Sequence, residues 1–92
     1  MVLVRRGDRT QGTVMLKLNH IGVGWSVLTQ VRRDERLGWL SGTGPTPVTE
    51  SEADGYIERQ LRYDPDLWVI EVEDRNGDPW FDGPRLDQSP PA

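Results

Sequence analysis

A helical pattern that runs into a proline and continues at once as an alternating, strand-like run leaves this chain few ways to fold. The junction is Tyr63 to Asp74, YDPDLWVIEVED. Asp64-Pro65 stops the helix, because proline disfavours helical geometry in the residue before it and brings no amide donor. From Asp66 alternate side chains face opposite ways, so Trp68, Ile70 and Val72 line one face. Leu67 and Val69 begin the other face, and Glu71 and Glu73 finish it. That pattern predicts a strand inside a sheet, with the preceding helix packed on the Trp68 face. Asn76-Gly77 then signals a hairpin turn, with Pro79 to Asp82 as a short return strand at a sheet edge.

The residues before the junction read as strands. Val2 and Val4 begin the first, and the turn-forming cluster Gly7 to Gly12 ends it. Thr13 to His20 alternates, with Val14, Leu16 and Leu18 inward and Thr13, Lys17 and Asn19 outward; Met15 is an apolar exception on the outer face. Ile21 to Gly24 turns the chain into Trp25 to Arg32, whose core side carries Trp25, Val27 and Val31. Asp34 to Gly38 turns it again into the short strand of Trp39 and Leu40. These four strands form an antiparallel meander in this reading. Gly42 to Pro47 is a connector, since its glycines and prolines break both regular periods.

Thr49 opens the clearest helix in the chain. It caps the first turn while Glu52 reaches back to it, and Val48 and Ala53 are placed for a hydrophobic staple. The helix is predicted over about Glu50 to Tyr63, with Ala53, Tyr56, Ile57, Leu61 and Tyr63 on one arc. The expected fold is therefore α+β: an antiparallel sheet of five to six strands with one helix on one face, in the order β-β-β-β-α-β-β. Residues 1–82 make the domain, and 83–92 a Pro-rich tail predicted to be disordered.

Ninety-two residues suffice for one domain with one core, and the absence of cysteine excludes disulfides and thiolate metal sites. The apolar run ahead of Arg5-Arg6 is too short for a signal peptide or membrane span, so the expectation is a cytoplasmic protein without membrane attachment. Charge is segregated: residues 1–48 carry a net +4 and residues 49–92 a net −8. Such a separation can guide head-to-tail contacts or draw a basic face to an acidic partner.

Motifs that carry chemistry are weak here. His20, the single histidine, ends a strand and lies in no nucleophile motif. Asp74 to Asp78 resembles the start of a calcium loop, but Pro79 and Arg85 stand where glycine and glutamate are needed. Glu71 and Glu73 share a strand face from which, with Asp78, they could reach a hard cation. Gly42-Thr43-Gly44 precedes a helix N-terminus, yet no lysine follows, and Glu50, Glu52 and Asp54 repel an anion. No cofactor, metal or catalytic set is expected, and the chain does not read as an enzyme.

Several strings stand in an order that resembles the DUF1491 family, short alphaproteobacterial proteins defined only as a domain of unknown function. They are RRGD at 5–8, GTVMLKLN at 12–19, GW at 38–39, TG at 43–44, PVTESEADGYIERQ at 47–60 and RQLRYDPDLWVIEVEDRNG at 59–77. The resemblance spans most of residues 4–82 and carries over no activity or catalytic residue. It implies a further segment ahead of the RRGD strand, including a helix, where this chain starts almost inside that strand. An apolar face left uncovered by its absence would favour self-association.

The leading functional expectation is a non-catalytic protein-interaction or assembly module, with a homodimer as one form. Four tryptophans exceed what a small core hides, so Trp39 and Trp80 are predicted contact residues. Gly55, on the solvent arc of the helix, is predicted to let a partner approach the backbone. The alternative is nucleic-acid binding through the basic meander, with Arg5, Arg6, Arg32 and Arg33 as contacts. An acidic total charge weighs against it.

Overall fold

The computed structural model describes residues 2–10 and 12–75. Its elements are β1 (Val2–Arg5), β2 (Val14–His20), β3 (Gly24–Arg33), β4 (Arg36–Ser41), α1 (Glu50–Tyr63) and β5 (Trp68–Asp74). The predicted return strand Pro79 to Asp82, the Asn76-Gly77 turn, Trp80 and the tail lie outside the described residues. The fold is α+β, with one helix and one sheet of five strands among the described residues, in the order β1-β5-β2-β3-β4.

The sheet is mixed where an antiparallel one was expected. β2, β3 and β4 form the predicted meander, joined by a tight β3–β4 turn in which Asp34 and Glu35 both take positive φ, as a two-residue hairpin loop requires. The connector and α1 then carry the chain back across the sheet. β5 consequently enters parallel to β2, pairing Leu16 with Ile70 and Leu18 with Val72. It inserts between β2 and β1, so β1 pairs with β5 and not with its sequence neighbour. A helical crossover permits parallel pairing that a short turn cannot.

Helix α1 begins as its sequence dictates, with the Glu52 amide donating to the Thr49 hydroxyl at 3.2 Å. It ends where Asp64 donates its amide to the Gln60 carbonyl. The face it covers is the reverse of the expected one. Ala53 and Ile57 pack on Met15, Val27, Leu67 and Val69, with Trp25, Val48, Tyr56 and Leu61 around them. Trp68, Ile70 and Val72 point the other way. On that second face Leu16, Leu18, Leu28, Trp39 and Val72 are each no more than 2% exposed.

Both faces of the central strands are thus buried, which is why Met15 and Lys17 are inside and not outward. Leu16 and Val27, expected to share one core, lie in separate clusters. Tyr63, placed on the apolar arc by its spacing, is 86% exposed, and Leu61 is the residue of the last turn that packs on the core. Trp39 is 1% exposed, so its predicted role as a surface contact is corrected to a core role.

The loop between β1 and β2 is held over the start of β5. The Asp8 amide donates to the Asp66 carbonyl, and the Trp68 indole donates to the Asp8 carbonyl at 2.8 Å. A Cβ on Gly7 would stand 2.1 Å from the Asp66 carbonyl oxygen, so this approach requires glycine.

Candidate functional site: a groove along the first turns of the helix

The connector between β4 and α1 lies beside the helix it feeds, and a two-lobed groove runs along their seam. One lobe, of about 470 Å3, is lined by Gly42, Thr43, Val48, Ser51, Glu52, Gly55, Tyr56 and Arg59. The other, of about 590 Å3, shares Val48 and Glu52 and extends past Trp25 and Pro47 to Val23 at the β2–β3 turn.

Local sequence builds both walls. Val48 and Trp25 exchange backbone hydrogen bonds at 2.8 Å, which pins the connector to the start of β3. The Ser41 hydroxyl donates to the Gly44 carbonyl at 2.7 Å, and the Val27 amide donates to the Thr43 hydroxyl at 3.2 Å, so the connector is an ordered rim. Tyr56 lays its phenol where a Cβ on Gly42 would stand. Gly55 opens the helix wall. A Cβ there would meet only an Arg59 guanidinium nitrogen, at 3.5 Å.

Beneath the helix N-terminus sits a charged cluster that alternation in β2 had pointed outward. Lys17 is the only lysine in the chain, and its side chain is 8% exposed. Its Nζ lies 2.8 Å from Glu50, 2.7 Å from Asp54 and 3.6 Å from Glu71, and 4.7 Å from the centre of the Trp25 ring. Burial pushes the ammonium pKa down, but hydrogen bonds to Asp54 and Glu50 and their charges outweigh this and hold it above the ordinary lysine value. The amine is therefore protonated and is no nucleophile. The cluster joins helix to sheet and leaves carboxylates in excess at one end of the groove. The signal for it was present in sequence: a lone lysine flanked by Met15, Leu16 and Leu18, and two acids four residues apart on one helix face.

Of the predicted site residues, Gly55 lies in the groove, Trp39 is buried away from it and Trp80 is outside the described residues. The basic residues are not brought together. Arg5 and Arg6 lie on and just after β1, whereas Arg32 and Arg33 end β3, with β5 and β2 between. Arg5 also donates to the Pro65 carbonyl at 3.0 Å. His20 stands in register with Gly24 on one side and Asp74 on the other. Glu71, one of the carboxylates with potential for a cation, faces Lys17 instead, and no group of three metal-ligating side chains occurs among the described residues. No helix among them is long and apolar enough to cross a membrane.

The family model described as "Protein of unknown function (DUF1491)" matches residues 1–82. The chain belongs to the DUF1491 family. A crystal structure of a DUF1491 family protein from Caulobacter crescentus is similar, at 30% identity and a TM-score of 0.77, over 91% of this chain and 78% of that one. Among curated proteins no match was found. Family membership and the shared fold rest on these likenesses; neither the family description nor that structure's description states an activity.

Proposed function

We propose that this DUF1491 protein is a non-catalytic, cytoplasmic interaction module that docks an extended segment of another chain in the groove along α1. The observation that carries the reading is Gly55, half-buried in the groove wall within the interior of helix α1. Glycine there costs about 1 kcal/mol relative to alanine, and no packing inside the protein requires it. Its benefit lies in admitting a partner backbone close to the helix, between Ser51 and Arg59. Polar groups at both rims and the apolar Val48 floor suit a peptide that makes main-chain hydrogen bonds and buries one or two side chains. The protonated Lys17 and the segregation of the arginines support a binding role over amine catalysis or a continuous nucleic-acid track.

The test is a photo-crosslinking amino acid placed at Ser51 and, as a control on the far helix end, at Tyr63. Crosslinked protein is expected from position 51 and not from 63, and Gly55→Leu should abolish it without lowering the melting temperature. Equal capture from both positions, or full capture by Gly55→Leu, would remove the groove from the account.

A further inference from the structure

The molecule carries a second unpartnered surface whose chemistry complements the groove. β1 is an edge strand, and Val2, Leu3 and Val4 are 59%, 53% and 55% exposed. Edge strands are ordinarily blunted by charge, proline or a covering element. Here the apolar strand leads directly into exposed Arg5 and Arg6, with Arg9 exposed on the loop that follows. Arg5 is spent in part on the Pro65 carbonyl, whereas Arg6 has no hydrogen bond or ion pair among the described residues.

The hairpin end of the groove is opposite in sign: acidic, with a few apolar side chains set among polar ones. Val23, at 59% exposure, and the exposed Pro47 flank the half-buried Trp25. Around them Lys17 is the one cation set against Glu50, Asp54 and Glu71, and Glu52 stands exposed on the shared wall of the two lobes. A strand ending in arginines and a groove whose hairpin end is rimmed by carboxylates match in sign. They also match in length: five extended residues span about 17 Å, and the helix from Glu50 to Arg59 rises about 14 Å.

We propose that the groove of one DUF1491 chain receives the Val2 to Arg6 edge of a second copy, with Arg6 meeting Glu52. This rests on the reading of the groove as a docking surface and names its occupant. One molecule cannot satisfy itself, because β3, which carries Trp25, is three places along the sheet from β1. The contact is therefore heterologous, and repetition gives open chains or a closed ring. The separation of net +4 in residues 1–48 from net −8 in residues 49–92 aligns successive copies head to tail.

Sedimentation velocity of the full chain over a range of concentrations tests it, at ionic strengths of about 0.02 M and about 0.3 M. Concentration-dependent growth is expected at low salt and its loss at high salt. Arg6→Glu and Glu52→Arg, both at exposed positions, should each weaken association more than about tenfold, because each sets like charges together. Mixing the two variants should restore association and give alternating assemblies, since both contacts between unlike variants pair opposite charges while those between like variants set like charges together. A wild-type chain that stays monomeric at every concentration overturns the proposal, as do variants that assemble like the parent or a mixture that does not associate. A monomeric parent that still crosslinks a different protein through Ser51 would overturn self-association alone and leave the docking groove standing.

Discussion

Removing the carboxylates around Lys17 should expose how deeply the ammonium depends on them. The side chain is 8% exposed, and Glu50 and Asp54 are about half exposed at 52% and 51%. Asp54→Asn alone leaves Glu50 at 2.8 Å and Glu71 at 3.6 Å, so the charge stays partnered and the expected cost is about 1 kcal/mol, the upper range for a half-exposed pair. Adding Glu50→Gln leaves only the more distant Glu71. A buried ammonium stripped of its close partners costs about 3 kcal/mol or more, so the double variant should lose more than the sum of the singles. Lys17→Met in that background removes the charge that needs partners and should recover most of the loss. Urea unfolding, read at constant m, gives all four values. Sign follows from the raised pKa: the contribution is complete below the unfolded lysine value of about 10.4 and is lost as pH rises through the higher folded value. Lys17→Met should lack that alkaline component. Additive losses totalling no more than about 1 kcal/mol would mean that the ammonium reaches water, and the burial argument would fail.

Three further outcomes follow from the packing. Gly55→Ala should raise stability by about 1 kcal/mol in thermal or urea melts, since the added methyl meets only the mobile Arg59 end; a loss would show that the helix wall is tighter than its geometry. Gly7→Ala should destabilise by more than about 2 kcal/mol, because backbone at Asp66 must move to admit it, and the indole hydrogen bond of Trp68 to Asp8 should weaken with it. Trp39→Ala should cost about 3–5 kcal/mol as a cavity in the second core; a folded, stable variant with altered association would return Trp39 to the surface role first expected of it.

Much of the fold was legible because it is set by near neighbours. The Thr49 cap, the helix bounds and the Asp64-Pro65 stop depend on a few residues each, and the structure places them as the sequence requires. Alternation located β1, β2, β3 and β5 but misassigned faces of the central strands, and β4 begins at Arg36 where a turn to Gly38 was expected. Lys17 looked outward because a charge in a strand usually marks solvent, yet three carboxylates from two other elements receive it. Trp39 looked surplus to one core because the sheet has two. Gly55 was visible as an anomaly in sequence, while the groove it lines needs the connector folded back on the helix.

The sequence by itself determined where elements start and stop, since capping, proline and turn chemistry act over three or four residues. Only the tertiary structure decided which strand lies beside which. The crossover through α1 drops β5 between β1 and β2, and that single insertion makes the sheet mixed, buries both faces of its centre and leaves β1 as the exposed edge. Pairing across such distances is chosen by the burial it achieves in the whole molecule, a quantity no local pattern contains.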